Sequence, residues 1–399
     1  MERKQEILTK IAYYSFYIAV MIEVLMVIID KSALTNPIEG RLFQITFLLF
    51  FIKVCLTRYS LKEYGVIAIF LALGGVSYFV TGRNEIIRVV MFIAACKDID
   101  MKKCLKLVFY ITLSGCVLLI LLSLTGIMGT VSLTMDYGRG SEETRYVLGM
   151  GHPNALHCMI WALILLGIYV YADQMKWYGY AGLFIINLFF FRLTDSKTSF
   201  LITVITILGA ALLQYIPKLR SSKLIEVIGI TAFLSSILIS IMGAANAILV
   251  SEYYWSRDFS AKAKFYVFID KFLTGRLQTL ACTVNMEGTI GTWRLFSNPQ
   301  SNYFFDLGWV RLFYWYGIIP AIVFIIMILL LIHYCYKHKD YMGFLMILSI
   351  SVYTIIEAHV ISDYIARNYV FFLLGAYWNH ILIWKRERTK INVKSADCE

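Results

Sequence analysis

Apolar residues are arranged along this chain in long blocks that alternate with short polar segments. Most blocks contain roughly 17–25 residues, the length of helix that crosses about 30 Å of hydrocarbon. The pattern predicts an all-α polytopic membrane protein, a single integral membrane domain over residues 1–399, with about 12 transmembrane helices. The predicted spans lie near residues 11–29, 42–57, 64–81, 84–96, 107–126, 153–171, 178–193, 199–216, 224–250, 309–334, 341–361 and 369–384. The fourth block is short, so a partly re-entrant segment is the alternative there.

Lysine and arginine are concentrated in every second connection between these spans. They occur at 3–10, 58–62, 97–106, 176, 218–223 and 337–339, and again in the tail 385–399. Cytoplasmic loops of membrane proteins carry such an excess of basic residues. We therefore expect a multi-pass protein of the plasma (cytoplasmic) membrane, with both termini and the basic tail in the cytoplasm. The segment 145–154 is then expected on the outer side.

The connections expected on the outer side differ in length. One of moderate length covers about 127–151, and a long extracytoplasmic loop covers about 251–308. Only the long loop is large enough to form a lid or a small subdomain, and its pattern predicts a helix at 261–273. Pro320 is expected to kink the span that contains it, because an interior proline removes a backbone hydrogen bond. No repeat relates the two halves of the chain, which weakens a transporter built by internal duplication.

Composition agrees with a membrane protein and excludes other classes. The chain is 59% hydrophobic and 16% charged, with a mean hydropathy of +0.70. Its net charge of +11 does not indicate a nucleic-acid partner, because the cations are scattered between spans rather than gathered on one face. The eight cysteines lie mostly in spans or on the inner side, and none have zinc spacing. A disulfide framework and a zinc site are both excluded.

The segment 145–154 has the features of an anion site at a membrane surface. Pro153 suits the first turn of a helix, which makes His152 the expected N-cap. The free N–H groups of a helix N-terminus attract anions, and Arg145 lies a few residues upstream. The alternative is a well-capped transmembrane helix with an incidental surface arginine.

Other candidate residues lie in the remaining outer segments. Arg276 is the arginine of the long loop that suits bidentate contact with phosphate. In the turn 194–198, Asp195 or Ser196 could cap the next helix, and Lys197 would face the same side as Arg145. A solvated arginine and an ordinary helical corner are the alternatives.

Several ionisable residues fall at positions where charge is unexpected. Glu357 and His359 lie near the outer end of the span 341–361, and Glu23 lies in the first span at similar depth. Ionisable groups in membrane segments normally face a cavity and mark function. For Glu357 the alternative is an ion pair with Arg88 or Arg367 that only fixes helix packing. Asp306 begins the tenth span, either as its N-cap or as a carboxylate beside the expected site.

Several of these short sequence motifs resemble those of a known family. Arg145 followed by Gly-His-Pro-Asn at 151–154 is similar to the Wzy-type repeat-unit polymerases of O-antigen and capsule loci, which are relatives of the O-antigen ligases. The sequence 195–198 resembles the family's Ser-Arg-Thr turn, and 275–276 resembles the Gly-Arg of its large outer loop. The sequences 306–312 and 316–320 resemble its return into the membrane. Two departures are that Lys197 replaces a common arginine and that 251–308 contains no histidine, which favours polymerase over ligase.

The resemblance implies a bundle of the membrane glycosyltransferase (GT-C-like) type that opens to the outer face. It implies that a growing glycan leaves its polyprenyl diphosphate, of the undecaprenyl type, and joins the sugar of another lipid-linked repeat unit. Membrane lipid, a flippase and a chain-length regulator are the further expected partners, and nucleic acid is not one.

In this scheme the diphosphate would contact the three basic residues Arg145, Arg276 and Lys197. The candidate bases are His152, Glu357 and Asp306, in no fixed order, and the other expected substrate contacts are Asn154, Asp195 and His359. The cations and the absence of a metal-ligand cluster predict a metal-independent, inverting reaction without a cofactor.

Three alternatives remain open at this point. An O-antigen ligase would pass finished chains to a different acceptor. A polysaccharide flippase or transporter would also need many spans and basic groups, although it should show two related halves. A membrane acyltransferase is disfavoured, because the candidate histidines and carboxylates do not form a compact motif.

Overall fold

The computed structural model describes residues 2–136, 141–220, 222–257, 259–273, 275–283, 286–298, 303–358 and 362–383. Its α-helices are α1 (Glu2–Lys31), α2 (Glu39–Cys55), α3 (Leu61–Thr81), α4 (Glu85–Ala95), α5 (Met101–Leu124), α6 (Pro153–Tyr171), α7 (Trp177–Thr194), α8 (Lys197–Tyr215), α9 (Pro217–Arg220), α10 (Lys223–Trp255), α11 (Ala261–Phe272), α12 (Arg276–Ala281), α13 (Gly308–Tyr316), α14 (Ile318–Lys337), α15 (Tyr341–Tyr353) and α16 (Tyr369–Leu382). An antiparallel hairpin of β1 (Ser132–Asp136) and β2 (Glu142–Tyr146) joins α5 to α6.

Seven described helices are long and apolar enough to cross a membrane. They are α1, α3, α5, α6, α8, α10 and α14. The predicted number of about 12 spans is not confirmed, because the helices at the other predicted positions are shorter or less apolar, as in α4 with 11 residues and α15 with 13. The predicted basic tail 385–399 lies outside the described residues.

Helix α6 lies at the centre of the bundle. It packs against α1, α5, α7, α8 and α15, and most of its side chains are buried. Polar groups join it to its neighbours: Trp161 Nε1 donates to Ser349 Oγ at 3.0 Å, and the His157 ring lies 2.9 Å from both Thr194 Oγ1 and Asn187 Oδ1. Because an unpaired polar group is costly in an apolar interior, these bonds fix how the helices are rotated about their axes.

A buried ion pair joins α1 to α4, and its carboxylate also binds α2 and the segment at Ile365. Glu23 on α1 is 1% exposed and lies 3.4 Å from the Arg88 guanidinium on α4. Its carboxylate also accepts from Thr46 Oγ1 at 2.7 Å and from the Ile365 N–H at 3.2 Å. Arg88 is therefore the partner of Glu23 and not of Glu357, as the sequence had allowed.

The segment predicted as the long outer loop, and the predicted span after it, differ from the prediction in three ways. Its first residues continue α10, which ends at Trp255, while the helix expected at 261–273 is confirmed as α11. The predicted tenth span is interrupted at Gly317, whose φ is 98°, so that α13 and α14 are separate helices. Pro320 lies in the first turn of α14, where its missing N–H costs nothing. The expected kink at Pro320 is wrong, because the break lies three residues earlier.

The segment after the hairpin packs tightly against the end of α1. The Gly151 N–H donates to Lys31 O and the Ala33 N–H to Gly149 O. Gly149 has a φ of 81°, and a Cβ there would lie 2.7 Å from Leu119 O on α5. Only glycine fits this position, so Gly149 has a packing role that places the hairpin over α5 and directs the chain into α6.

Candidate functional site

The N-terminus of α6 confirms the predicted cap. His152 is the N-cap, its Nδ1 accepts from the Asn154 N–H at 3.2 Å, and Pro153 occupies the first turn. Asn154 Oδ1 accepts from Ser196 Oγ at 2.7 Å. This bond fastens α6 to the turn between α7 and α8. Ser196 occupies the N-cap position of α8 without a side-chain cap hydrogen bond.

Arg145 projects from β2 into the space beside this turn. Its side chain is 7% exposed, and its Nε and Nη2 donate to Glu143 Oε2 at 3.1 and 2.6 Å. Asp195 Oδ2 lies 3.8 Å from the same guanidinium. Asp195 adopts a left-handed conformation with a φ of 47° at the end of α7, a geometry that aspartate tolerates better than most residues. The hairpin and the α7–α8 turn therefore meet at Arg145.

Arg276 is held by backbone carbonyls on both sides. It is the first residue of α12, where its Nε donates to Ile356 O at 2.8 Å and its Nη1 to Leu273 O at 3.1 Å. Its Nη2 then points at two carboxylates, Glu357 Oε1 at 3.2 Å and Asp306 Oδ2 at 3.7 Å. The Glu357 partner is thus Arg276, which lies 81 positions away in the chain.

Asp306 is brought to Glu357 by close packing of the backbone. Gly308 donates its N–H to Thr354 O at 3.0 Å. A Cβ on Gly308 would lie 2.8 Å from that oxygen and 2.9 Å from Glu357 O, so glycine permits the approach. The N-cap of α13 is Leu307. Asp306 is therefore the carboxylate beside the site, and the alternative role as N-cap is wrong.

These groups form one cluster, which we call the arginine–carboxylate site: Arg145, His152, Asn154, Asp195, Arg276, Asp306 and Glu357. His152 belongs to the half with Arg145 and lies within electrostatic range of Arg276 and Asp306 in the other half. Burial lowers the pKa of His152, and the charges of Arg145 and Arg276 lower it further against the opposing effect of Asp306. The imidazole is therefore neutral near pH 7 and lies within electrostatic range of both arginines.

Glu357 lies beyond the end of α15, in the turn that faces the site. Burial raises the pKa of Glu357, and the Asp306 carboxylate raises it further, while Arg276 is the strongest of the cations that lower it. Two carboxylates that share one guanidinium nitrogen resist joint ionisation. Burial and the neighbouring carboxylate therefore favour the protonated form of Glu357 more than in an exposed glutamate.

Two predicted residues are not brought into the cluster by any described contact. Lys197 is exposed at the start of α8, and among the described residues no ion pair joins it to a carboxylate. The α7–α8 turn faces Arg145 through Asp195. His359 lies outside the described residues.

Two residues that position the arginines of the site are missing from the sequence prediction. Glu143 is the closest partner of Arg145, and its position two residues earlier on the same strand face becomes evident only when 142–146 is recognised as a strand. Asp270 is 2% exposed, and its Oδ1 accepts from the N–H groups of Leu277 and Gln278 at 2.7 and 3.2 Å. Asp270 thereby fixes the turn that presents Arg276.

The fold and the site define a multi-pass helical membrane protein with a charged cluster at one end of its bundle. Comparison of the chain with protein-family models, with curated proteins and with solved structures finds no match. Function is therefore argued from the chemistry of the cluster.

Proposed function

We propose that the protein is a polysaccharide polymerase on the outer face of the plasma membrane, with a fold of the GT-C-like type. It transfers a growing glycan from polyprenyl diphosphate to the sugar of another lipid-linked repeat unit, with inversion and without a metal. One observation carries the proposal. Arg145 from the hairpin, and Arg276 and Asp306 from the long loop, lie within electrostatic range of His152 at the N-terminus of α6. Glu357 from a further segment lies 3.2 Å from Arg276.

The proposed role of the arginines is to meet the negative charge that builds on the leaving diphosphate. Guanidinium groups suit this role because they are permanently charged and donate several N–H groups in a plane. Glu143 fixes the orientation of Arg145 at 2.6 Å, and two carbonyls fix Arg276. Donors that are held in place before the reaction cost little reorganisation in the transition state.

His152 is better suited to donate a hydrogen bond than to act as the general base. Its Nδ1 lone pair accepts the cap bond from Asn154, so the proton of the neutral ring is placed at Nε2. That N–H can donate to a phosphate or sugar oxygen. Taking up a proton at Nδ1 would break the cap.

Glu357 is the proposed base. Its raised pKa makes the carboxylate a stronger proton acceptor than an exposed glutamate, which suits removal of a proton from the acceptor hydroxyl. Arg276 contacts one carboxylate oxygen, Oε1, at 3.2 Å and thereby orients the group. Asp306 is proposed to raise the pKa of Glu357 rather than to take part in the reaction.

Purified protein in proteoliposomes, supplied with one defined lipid-linked repeat unit, tests the proposal. Arg145→Ala and Arg276→Ala are each expected to lower the transfer rate by about 10²–10³-fold, and Glu357→Gln by about 10²–10⁴-fold. Arg294→Ala is the matched control, because Arg294 is an exposed arginine of the same long loop. Normal rates in both arginine variants would contradict the proposed diphosphate contacts.

The product pattern separates the alternatives. A ladder of chain lengths from a single repeat unit identifies a polymerase, whereas transfer of finished chains to a different acceptor identifies a ligase. Movement of the lipid across the bilayer without chain growth identifies a flippase. Rates are expected to be unchanged by exhaustive EDTA treatment, and a loss that a divalent ion restores would refute the metal-independent mechanism.

A further inference from the structure

A long apolar groove lies between α3, α4, α14 and α16, with α13 at one end. It encloses about 1000 Å³, counted with the open space at its mouth. Its walls carry aliphatic and aromatic side chains, among them Ile67, Val89, Val323, Phe324 and Leu374. Glu85 is the one charged residue among those that line it, and it lies at one end.

The groove is long enough to hold part of a hydrocarbon chain. On α16 its wall extends from Phe371 to Leu382, and eleven residues of α-helix measure about 16 Å. That length is about half of the hydrocarbon thickness of a bilayer. The lining residues of α14 and α16 recur every three or four positions, so each helix presents one continuous apolar face to the groove. Such a slot is too apolar for a sugar or a headgroup.

The mouth of the groove adjoins the arginine–carboxylate site. Glu85, Tyr316 and Ser362 line this end, and Ser362 follows Glu357 by five positions. Arg311, which is 2% exposed, precedes the groove residue Leu312. Its guanidinium lies 4.7 Å from the centre of the Trp315 ring, next to the groove residue Tyr316. It is also within electrostatic range of Asp306 and Glu357. Arg311 is therefore close both to the groove and to the charges of the site.

Arginines lie at this mouth together with the carboxylates of Glu85 and Asp363. Arg83 lies 4.0 Å above the Trp315 ring, in the loop that leads into Glu85. The Nε atoms of Arg311 and Arg367 are buried, and no hydrogen-bond partner for them is found among the described residues. A buried N–H without a partner is costly unless a ligand supplies an acceptor. A lipid with an anionic phosphate at the mouth and its tail in the groove would satisfy both features.

We propose that this groove holds the isoprenoid tail of the lipid-linked substrate, with the diphosphate at the arginine-rich mouth beside Glu357. The inference rests on the proposed function, because that function supplies the lipid. Seating the tail here places the diphosphate within reach of the site before any sugar contact forms.

Photo-crosslinking of the full-length protein in nanodiscs tests the inference independently of catalysis. The probe is a polyprenyl diphosphate with a diazirine in its isoprenoid chain, and a second arm uses a phosphatidylglycerol with a diazirine in one acyl chain. Isoprenoid crosslinks are expected on groove residues such as Val89, Phe324 and Leu374, and an excess of unlabelled polyprenyl phosphate should suppress them at least tenfold. Crosslinks mainly on other helix faces, or equal labelling of the groove by the phospholipid, would overturn the inference.

A pair of adjacent residues supplies the matched variants. Val323→Trp places an indole in the groove, whereas Ile322→Trp places one on the lipid-facing side of the same turn, where Ile322 is 47% exposed. Val323→Trp is expected to reduce groove crosslinking at least tenfold and Ile322→Trp to leave it unchanged. Equal labelling of the two variants would contradict the proposal. If Val323→Trp does not give monodisperse protein, the wild-type crosslink positions decide alone.

The two proposals fail in different ways. Groove crosslinks without any chain growth would refute the polymerase and keep the groove as a site for a lipid diphosphate. Chain growth with crosslinks elsewhere would refute the groove and keep the polymerase.

Discussion

Changing Asp306 to asparagine tests whether Glu357 is the base through the pH dependence of transfer. Both carboxylates approach the same nitrogen of Arg276, at 3.7 and 3.2 Å. The charge of Asp306 raises the pKa of Glu357, after the larger effect of burial. Asp306→Asn removes that charge at nearly constant shape, so Glu357 should stay ionised to lower pH. The acidic limb of the pH–rate profile should therefore shift to lower pH.

The size of the shift follows from distance and exposure. A neighbouring charge within about 4–6 Å shifts a carboxyl pKa by about 1–3 units. Asp306 is 47% exposed, so water and salt screen its charge and the expected shift is about one unit. One unit corresponds to a tenfold higher rate at a pH on the steep part of the limb. Arg276→Gln should move the limb in the opposite direction, because Arg276 lowers the pKa of Glu357.

Initial rates of first-bond formation between pH 5 and 9 in proteoliposomes give the profiles. Arg145→Gln is the discriminating control, because Arg145 lowers the pKa of His152 and is not among the charges that act on Glu357. If His152 were the base, Arg145→Gln would shift the acidic limb to higher pH. An unmoved limb in Asp306→Asn, or one that moves upward, would refute the reasoning. A limb that persists in Glu357→Gln would do the same.

The remaining predictions concern stability and the cap. Arg88→Met should lower the free energy of unfolding by about 3–5 kcal/mol, because it leaves Glu23 buried without its cation. The double variant with Glu23→Met should recover part of the loss. Thermal unfolding in detergent measures both effects. Gly149→Ala should lower the unfolding temperature by the same assay, because the residue has a positive φ and its Cβ would meet a backbone oxygen at 2.7 Å. An unfolding temperature equal to wild type would contradict the described turn. His157→Leu should cost about 1–3 kcal/mol for each polar partner left without a bond, with transfer by the surviving folded protein unchanged. His152→Asn should retain the N-cap and lose transfer activity, whereas His152→Ala should lose both, the cap at a cost of about 1 kcal/mol; full activity in His152→Asn would exclude a role for the imidazole.

The residues of the candidate site could be named from the sequence, but their contacts could not. The N-cap at His152 was predictable because it depends on neighbours: a proline at the first turn and an apolar block after it. The pair of Arg276 with Glu357 depends on the meeting of two segments 81 positions apart, and the sequence offered Arg88 and Arg367 as equal partners. Similarly, the carboxylates beside Arg145 come from a strand and a turn that carry no apolar periodicity.

The breaks in the predicted spans show a related limit. Gly317 and Pro320 are both plausible interruptions of an apolar block, and local sequence favours the proline. The structure places the break at Gly317, where a Cβ would lie 2.6 Å from both Leu295 O and Phe296 Cα. Contact with a segment of the long loop therefore decides where the helix ends.

The sequence by itself determined that the chain folds into apolar helices, because a backbone in hydrocarbon must satisfy its hydrogen bonds within each segment. It also determined where most of these helices lie and which helix N-terminus bears the histidine cap. Only the tertiary structure decided how the helices are rotated and which charges meet. An apolar side chain is equally stable against lipid or against another helix. The apolar blocks therefore carry little information about which side of each helix contacts the rest of the protein. The few buried polar groups, Glu23 with Arg88 and Arg276 with Glu357, fix that choice, because each becomes stable only when its partner from a distant segment arrives.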